Sequence, residues 1–85
     1  MASYRPFIKP SAVKELEALP VKDRRRLVTR LQELTANPHP PGSEKLSGQE
    51  LYRIRQGNYR VLYSVHDQEL IILVIKVGHR RDVYR

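Results

Sequence analysis

Two residues, Gly57-Asn58, constrain this chain more than any others. They separate two stretches rich in branched and aromatic residues, Leu51 to Gln56 and Tyr59 to Val65. A Gly-Asn pair in that setting reads as a two-residue hairpin turn, because such turns need φ > 0 and these residues supply it at little cost. If only those two residues form the loop, Gln56 faces Tyr59, Arg55 faces Arg60, Ile54 faces Val61, Arg53 faces Leu62 and Tyr52 faces Tyr63. A longer turn would shift that pairing. Side chains alternate across a strand. Tyr52, Ile54, Val61 and Tyr63 therefore share one face and can pack on helices, while Arg53, Arg55 and Arg60 project from the other.

The rest of the chain supplies what this hairpin packs against. Tyr4 to Lys9 reads as a short strand, with Pro6 marking an edge or a start. Ser11 is a plausible N-cap for a helix whose apolar positions are Ala12, Leu16 and Leu19. Pro20 ends that helix and suits the first turn of a second one, which runs to about Ala36 with Leu27, Leu31 and Leu34 as its stripe. Asn37 to Ser43 holds three prolines and a glycine and is a loop. Leu70 to Val77 is apolar at nearly every position, as in a central strand covered on both faces, and Gly78 ends it. The order β-α-α-β-β-β gives an α+β fold: a small four-stranded, mainly antiparallel sheet with an N-terminal helical hairpin on one face. A chain of 85 residues has room for one such domain, residues 1–85.

Charge narrows the function. The net charge is +7, so polyanions are the natural partners. Like charges directly opposite on a sheet destabilise it. A chain of this length has a thin core and, with no cysteine, no disulfide to reinforce it. Placing Arg55 beside Arg60 gains such a fold nothing, which points to an anion site. The structural alternative is that the arginines blunt an exposed sheet against aggregation. His79, Arg80, Arg81 and Tyr84 follow the last strand, whose end can deliver them near the same surface. Guanidiniums pair with phosphate and a tyrosine ring stacks on an unpaired base, as single-stranded RNA requires. No signal peptide is expected, since the opening residues carry no apolar run. Leu70 to Ile75 is too short to span a bilayer, and the lack of cysteine fits a reducing cytoplasm. No metal and no small-molecule cofactor are expected.

Leu51-Tyr52-Arg53-Ile54-Arg55, Gly57-Asn58-Tyr59-Arg60-Val61-Leu62-Tyr63 and Val77-Gly78-His79-Arg80-Arg81-Asp82-Val83-Tyr84 resemble, in that order, the strand motifs of the RelE toxins of type II toxin–antitoxin pairs. Ser11-Ala12, Leu19-Pro20 and the Asn37-Pro38 loop fit as well, so the resemblance covers almost the whole chain. It implies a cytoplasmic endoribonuclease that enters the ribosomal A site and cuts messenger RNA. The 2′-hydroxyl attacks the adjacent phosphate, leaving a 2′,3′-cyclic phosphate and a 5′-hydroxyl, and a cognate antitoxin blocks the toxin. The residues carried over are Arg60, Arg80, Tyr84 and His79 as catalytic candidates and Arg53, Arg55 and Arg81 as RNA-binding ones. Relatives often carry lysines where Arg53 and Arg55 stand. Arginine cannot serve as a base, so Arg53, Arg55, Arg60 and Arg80 are cast as clamps on the pentavalent phosphate, an effect of about a hundredfold or more per group. His79 is the titrating group of the motif, and Glu44 and Glu50 are weaker candidates for a base. His39 and His66 read as loop residues without a role. Two other classes compete. ParE-type toxins share the fold and poison DNA gyrase without nuclease chemistry, and a non-catalytic RNA-binding module would yield no cleavage product.

Overall fold

The structure, a computed structural model, describes residues 3–46 and 51–79. In chain order its elements are β1 (Arg5–Ile8), α1 (Pro10–Glu17), α2 (Val21–Ala36), β2 (Glu44–Lys45), β3 (Leu51–Gln56), β4 (Tyr59–His66) and β5 (Ile71–His79). The sheet has five strands in the order β1-β5-β4-β3-β2. The α+β class and two helices packed on one face agree with expectation, but the expected four-stranded, mainly antiparallel sheet has five strands and is mixed. β2 adds a two-residue fifth strand that pairs with β3, and β1 lies parallel to β5.

The helices form where apolar positions recur every three to four residues. Ala12 and Leu16 of α1 and Leu27, Leu31 and Leu34 of α2 are buried. α1 begins two residues earlier than its hydroxyl signal implied. Pro10 takes the first helical position, Lys9 the cap, and Ser11 makes no cap bond. A proline there has its φ already set and no N–H to satisfy. α1 packs on β5, and α2 on β1 and β3. Beneath them Ile54, Val61, Tyr63, Ile72, Val74 and Val77 complete the core.

β5 is interior, yet the helices cover only one of its faces. Ile72, Val74 and Val77 are buried, whereas Ile71, Leu73 and Ile75 are half-buried on the open side. Leu46, Leu51, Leu62 and Ile75 make a small second cluster. A β-bulge interrupts the β4–β5 register, which pairs Leu62 with Lys76 but Tyr63 with Val74. The extra residue reverses the alternation, so Val77 faces the core as Val74 does. Gly78 does not end the strand; it pairs with Arg60, and the strand runs on to His79. β1 reaches only as far as Val74, and beyond it Glu15 of α1 covers the edge of β5. Its carboxylate accepts from the Val77 N–H at 3.0 Å and from Lys76 Nζ at 2.9 Å.

Candidate functional site

The β3–β4 hairpin has the register its turn demands, from Gln56 opposite Tyr59 through Arg55 opposite Arg60 to Tyr52 opposite Tyr63. Gly57 has φ +60, the left-handed conformation the tight turn requires. Ile54 and Val61 are buried under the helices, so alternation sends Arg53, Arg55 and Arg60 to the open face. Arg55 is exposed and Arg60 half-exposed, and no hydrogen bond or ion pair is recorded for either among the described residues. Gly78, directly opposite Arg60 on β5, puts no side chain beside it.

Arg53 is held differently. Its Nη2 lies 3.2 Å from Glu44 Oε2, across the β2–β3 pairing, and its buried Nε has no partner. Glu44 is the carboxylate that touches this arginine face among the described residues. Just before β2 the loop opens a notch lined by Arg30, Gly42, Ser43, Glu44 and Arg55. Arg30 enters it from α2, donating to Glu33 Oε1 at 3.3 Å and to the Pro41 carbonyl at 3.4 Å.

A tyrosine stack stiffens the hairpin from below. The Tyr63 ring is fully buried and its hydroxyl donates to the Pro38 carbonyl at 2.7 Å. Burial pushes the phenol up to about 12, against a smaller opposing effect of the Ser43 hydroxyl. Tyr52 stacks on Tyr63 at 5.8 Å, and His39 tilts onto Tyr52 at 4.7 Å. His39 thus has a packing place, although its loop position held no sign of one.

His79 does not join the arginines. It pairs with Tyr59, and the two rings meet edge-on at 6.2 Å, on the helix side of the sheet. The bulge is the cause, since unbroken alternation from Val74 would have turned His79 to the open face. His66 does lie on the open face, bonded to Ser64 at 2.9 Å. It stands six residues along β4 from Arg60, about 20 Å at the rise of a strand. Beside it, Phe7, Ile71, Leu73 and Glu69 form a shallow, largely apolar hollow. The open face is therefore basic at one end and apolar at the other. Arg80, Arg81, Tyr84 and Glu50 lie outside the described residues.

Sequence reasoning missed Arg30 and undervalued Glu44. Arg30 flanks the Leu27, Leu31 and Leu34 stripe on the helical wheel, next to Leu34, a boundary position that could have marked it. Glu44 carries no such signal, because its role depends on a strand only two residues long. Three guanidiniums on one open surface can bind a phosphodiester and stabilise charge that builds on it. Among the described residues no group of His, Asp and Glu could hold a metal ion, and no helix is long and apolar enough to cross a membrane.

The sequence model of the ParE toxin of the type II toxin–antitoxin system parDE matches residues 7–84. A protein of Escherichia coli named as a RelE-like toxin is 32% identical over 85 residues, covering 95% of this chain and 90% of that protein. Toxin RelE1 of Methanocaldococcus jannaschii is 30% identical over 82 residues, with 92% and 91% covered. Among solved structures, the archaeal RelE–RelB complex of Pyrococcus horikoshii contains a chain that superposes with a TM-score of 0.83 at 35% identity. The match covers 94% of this chain and 98% of that one.

Proposed function

Because this chain belongs to the RelE/ParE superfamily of type II toxin–antitoxin toxins, we propose that it is a ribosome-dependent endoribonuclease that cuts messenger RNA in the ribosomal A site. The observation that carries this is Arg55 directly opposite Arg60 on a face the helices leave open. The fold bears that repulsion without structural return, and a phosphodiester relieves it.

Arg53 and Arg55 bind the RNA backbone. Arg60 sits over the gap left by Gly78 and stabilises the pentavalent phosphate as the 2′-hydroxyl attacks. Glu44, the carboxylate in contact with Arg53, takes the 2′-hydroxyl proton. His79 faces Tyr59 and has no part in that step. The bond to the 5′-oxygen breaks, leaving a 2′,3′-cyclic phosphate and a 5′-hydroxyl that acquires its proton from water or the tail. In the tail, Arg80 adds to the clamp, Arg81 binds RNA and Tyr84 stacks on a base. The toxin acts in the cytoplasm, and a cognate antitoxin controls it. Support for that partner comes from the relatives solved as RelE–RelB complexes and from a face whose basic and apolar halves suit an amphipathic chain.

The match to a family bearing the ParE name favours a second reading, a gyrase poison without nuclease chemistry. The arginine face weighs against it. Mapping RNA ends after a pulse of expression separates the two. Cuts within translated codons, ending in cyclic phosphate, support the nuclease; intact messages with stalled replication support the gyrase poison.

A further inference from the structure

Beyond the arginine face, a second guanidinium pair converges at the sheet's edge. β2 is only two residues long, so β3 is uncovered where Arg55 stands. Arg55 approaches that edge from the open face, and Arg30 approaches it from the helices. Gly42 lies in the loop between them, with φ +91, a backbone conformation that favours glycine. Arg30 is under-used as it stands. Its two contacts are long, 3.3 and 3.4 Å, and its buried Nε donates to nothing. Its ion pair with Glu33 is an i,i+3 surface pair, the kind that yields readily to a better acceptor.

We propose that the notch between Arg30 and Arg55 is a second phosphate site, which holds an RNA phosphate flanking the scissile one and leads the strand off the open face around the β3 edge. This rests on the reading of the open face as an RNA site. Arg30 presents a planar fork whose Nη1 and Nη2 hold only long contacts, a geometry suited to a bidentate phosphate contact. The Ser43 hydroxyl lines the same hollow. Glu44 also lines it, but its Oε2 is engaged by Arg53. A flanking phosphate on Arg30 fixes the direction of the strand and holds the scissile group in register with Arg60, as remote binding contacts do in positioning a substrate.

The test uses the full chain and a five-nucleotide RNA made uncleavable by 2′-O-methylation, so it does not depend on cleavage or on the ribosome. Binding is followed by fluorescence anisotropy across a salt series, and the arginine Nε–H resonances by NMR. Arg30→Gln should weaken the five-nucleotide RNA about tenfold and lower the salt slope by about 0.7, the value of one single-strand phosphate contact. A dinucleotide with one phosphate should bind both proteins alike. Glu33→Gln frees Arg30 and should tighten binding about threefold over Glu17→Gln, which removes the same charge from α1 away from the notch. That gain cannot arise from misfolding. RNA should also shift the Arg30 Nε–H resonance. Equal affinity and salt slope in Arg30→Gln and wild type would overturn the proposal, as would no RNA binding by wild type. An acidic peptide of matched charge giving the same Arg30 shift and the same loss would make the notch a protein-partner site instead. Ribosomal cleavage, measured separately, stands or falls on its own.

Discussion

Replacing Arg55 by threonine should make this protein more stable while disabling it. Arg55 and Arg60 face each other across the β3–β4 pairing, with no ion pair recorded for either among the described residues. A like-charge cross-strand pair costs roughly 0.5 to 1 kcal/mol, and threonine suits an exposed strand position. For a domain of this size that gain corresponds to a rise in Tm of about 2 to 8 °C. The rise should shrink in about 1 M salt, where the screening length falls to about 3 Å. The same variant should lose RNA affinity and cleavage. Thermal unfolding followed by circular dichroism, at low and high salt, measures the first effect, and single-turnover cleavage on programmed ribosomes the second. A Tm that falls, or a gain that salt leaves untouched, would refute the claim that the fold carries this pair at a structural cost.

Three further outcomes follow from the geometry. Glu44→Gln should cost less than about 1 kcal/mol of stability, because its ion pair with Arg53 is exposed on the Glu44 side, yet slow single-turnover cleavage by about a hundredfold. His79→Gln, against Tyr59, should leave that rate within about threefold, and a large loss would return His79 to the site. Tyr63→Phe leaves the Pro38 carbonyl without its donor and should cost about 1 to 3 kcal/mol in urea unfolding. Because burial raises the Tyr63 phenol to about 12 from 10.0, the folded state holds that proton more tightly. Stability from this group is present below pH 10.0 and lost toward pH 12, a loss Tyr63→Phe should reduce.

The parts legible in the sequence were those set by local chemistry. The Gly57-Asn58 turn determined six cross-strand pairs because a two-residue loop has no slack. Leu27, Leu31 and Leu34 announced a buried stripe through their spacing alone. What escaped was non-local. A strand of two residues, Glu44–Lys45, has no alternation to detect and exists only because β3 lies beside it. Nothing in Arg5–Ile8 specifies a parallel partner more than sixty residues away. The side on which His79 stands turns on one bulged residue in a run where nearly every position is apolar, so the pattern carries no mark of the reversal. The arginine face was therefore readable in advance, while its neighbours Glu44 and Arg30 were not.

The central claim is that Arg60 acts on the transition state of RNA cleavage rather than on docking. Its most direct test is single-turnover cleavage of a defined A-site codon on purified ribosomes, with ribosome binding measured in parallel, for wild type and Arg60→Ala. The account predicts a product ending in 2′,3′-cyclic phosphate, and for Arg60→Ala a rate about a hundredfold lower or more with affinity changed less than about threefold. No cleavage by wild type, or a loss in Arg60→Ala confined to binding, would contradict it.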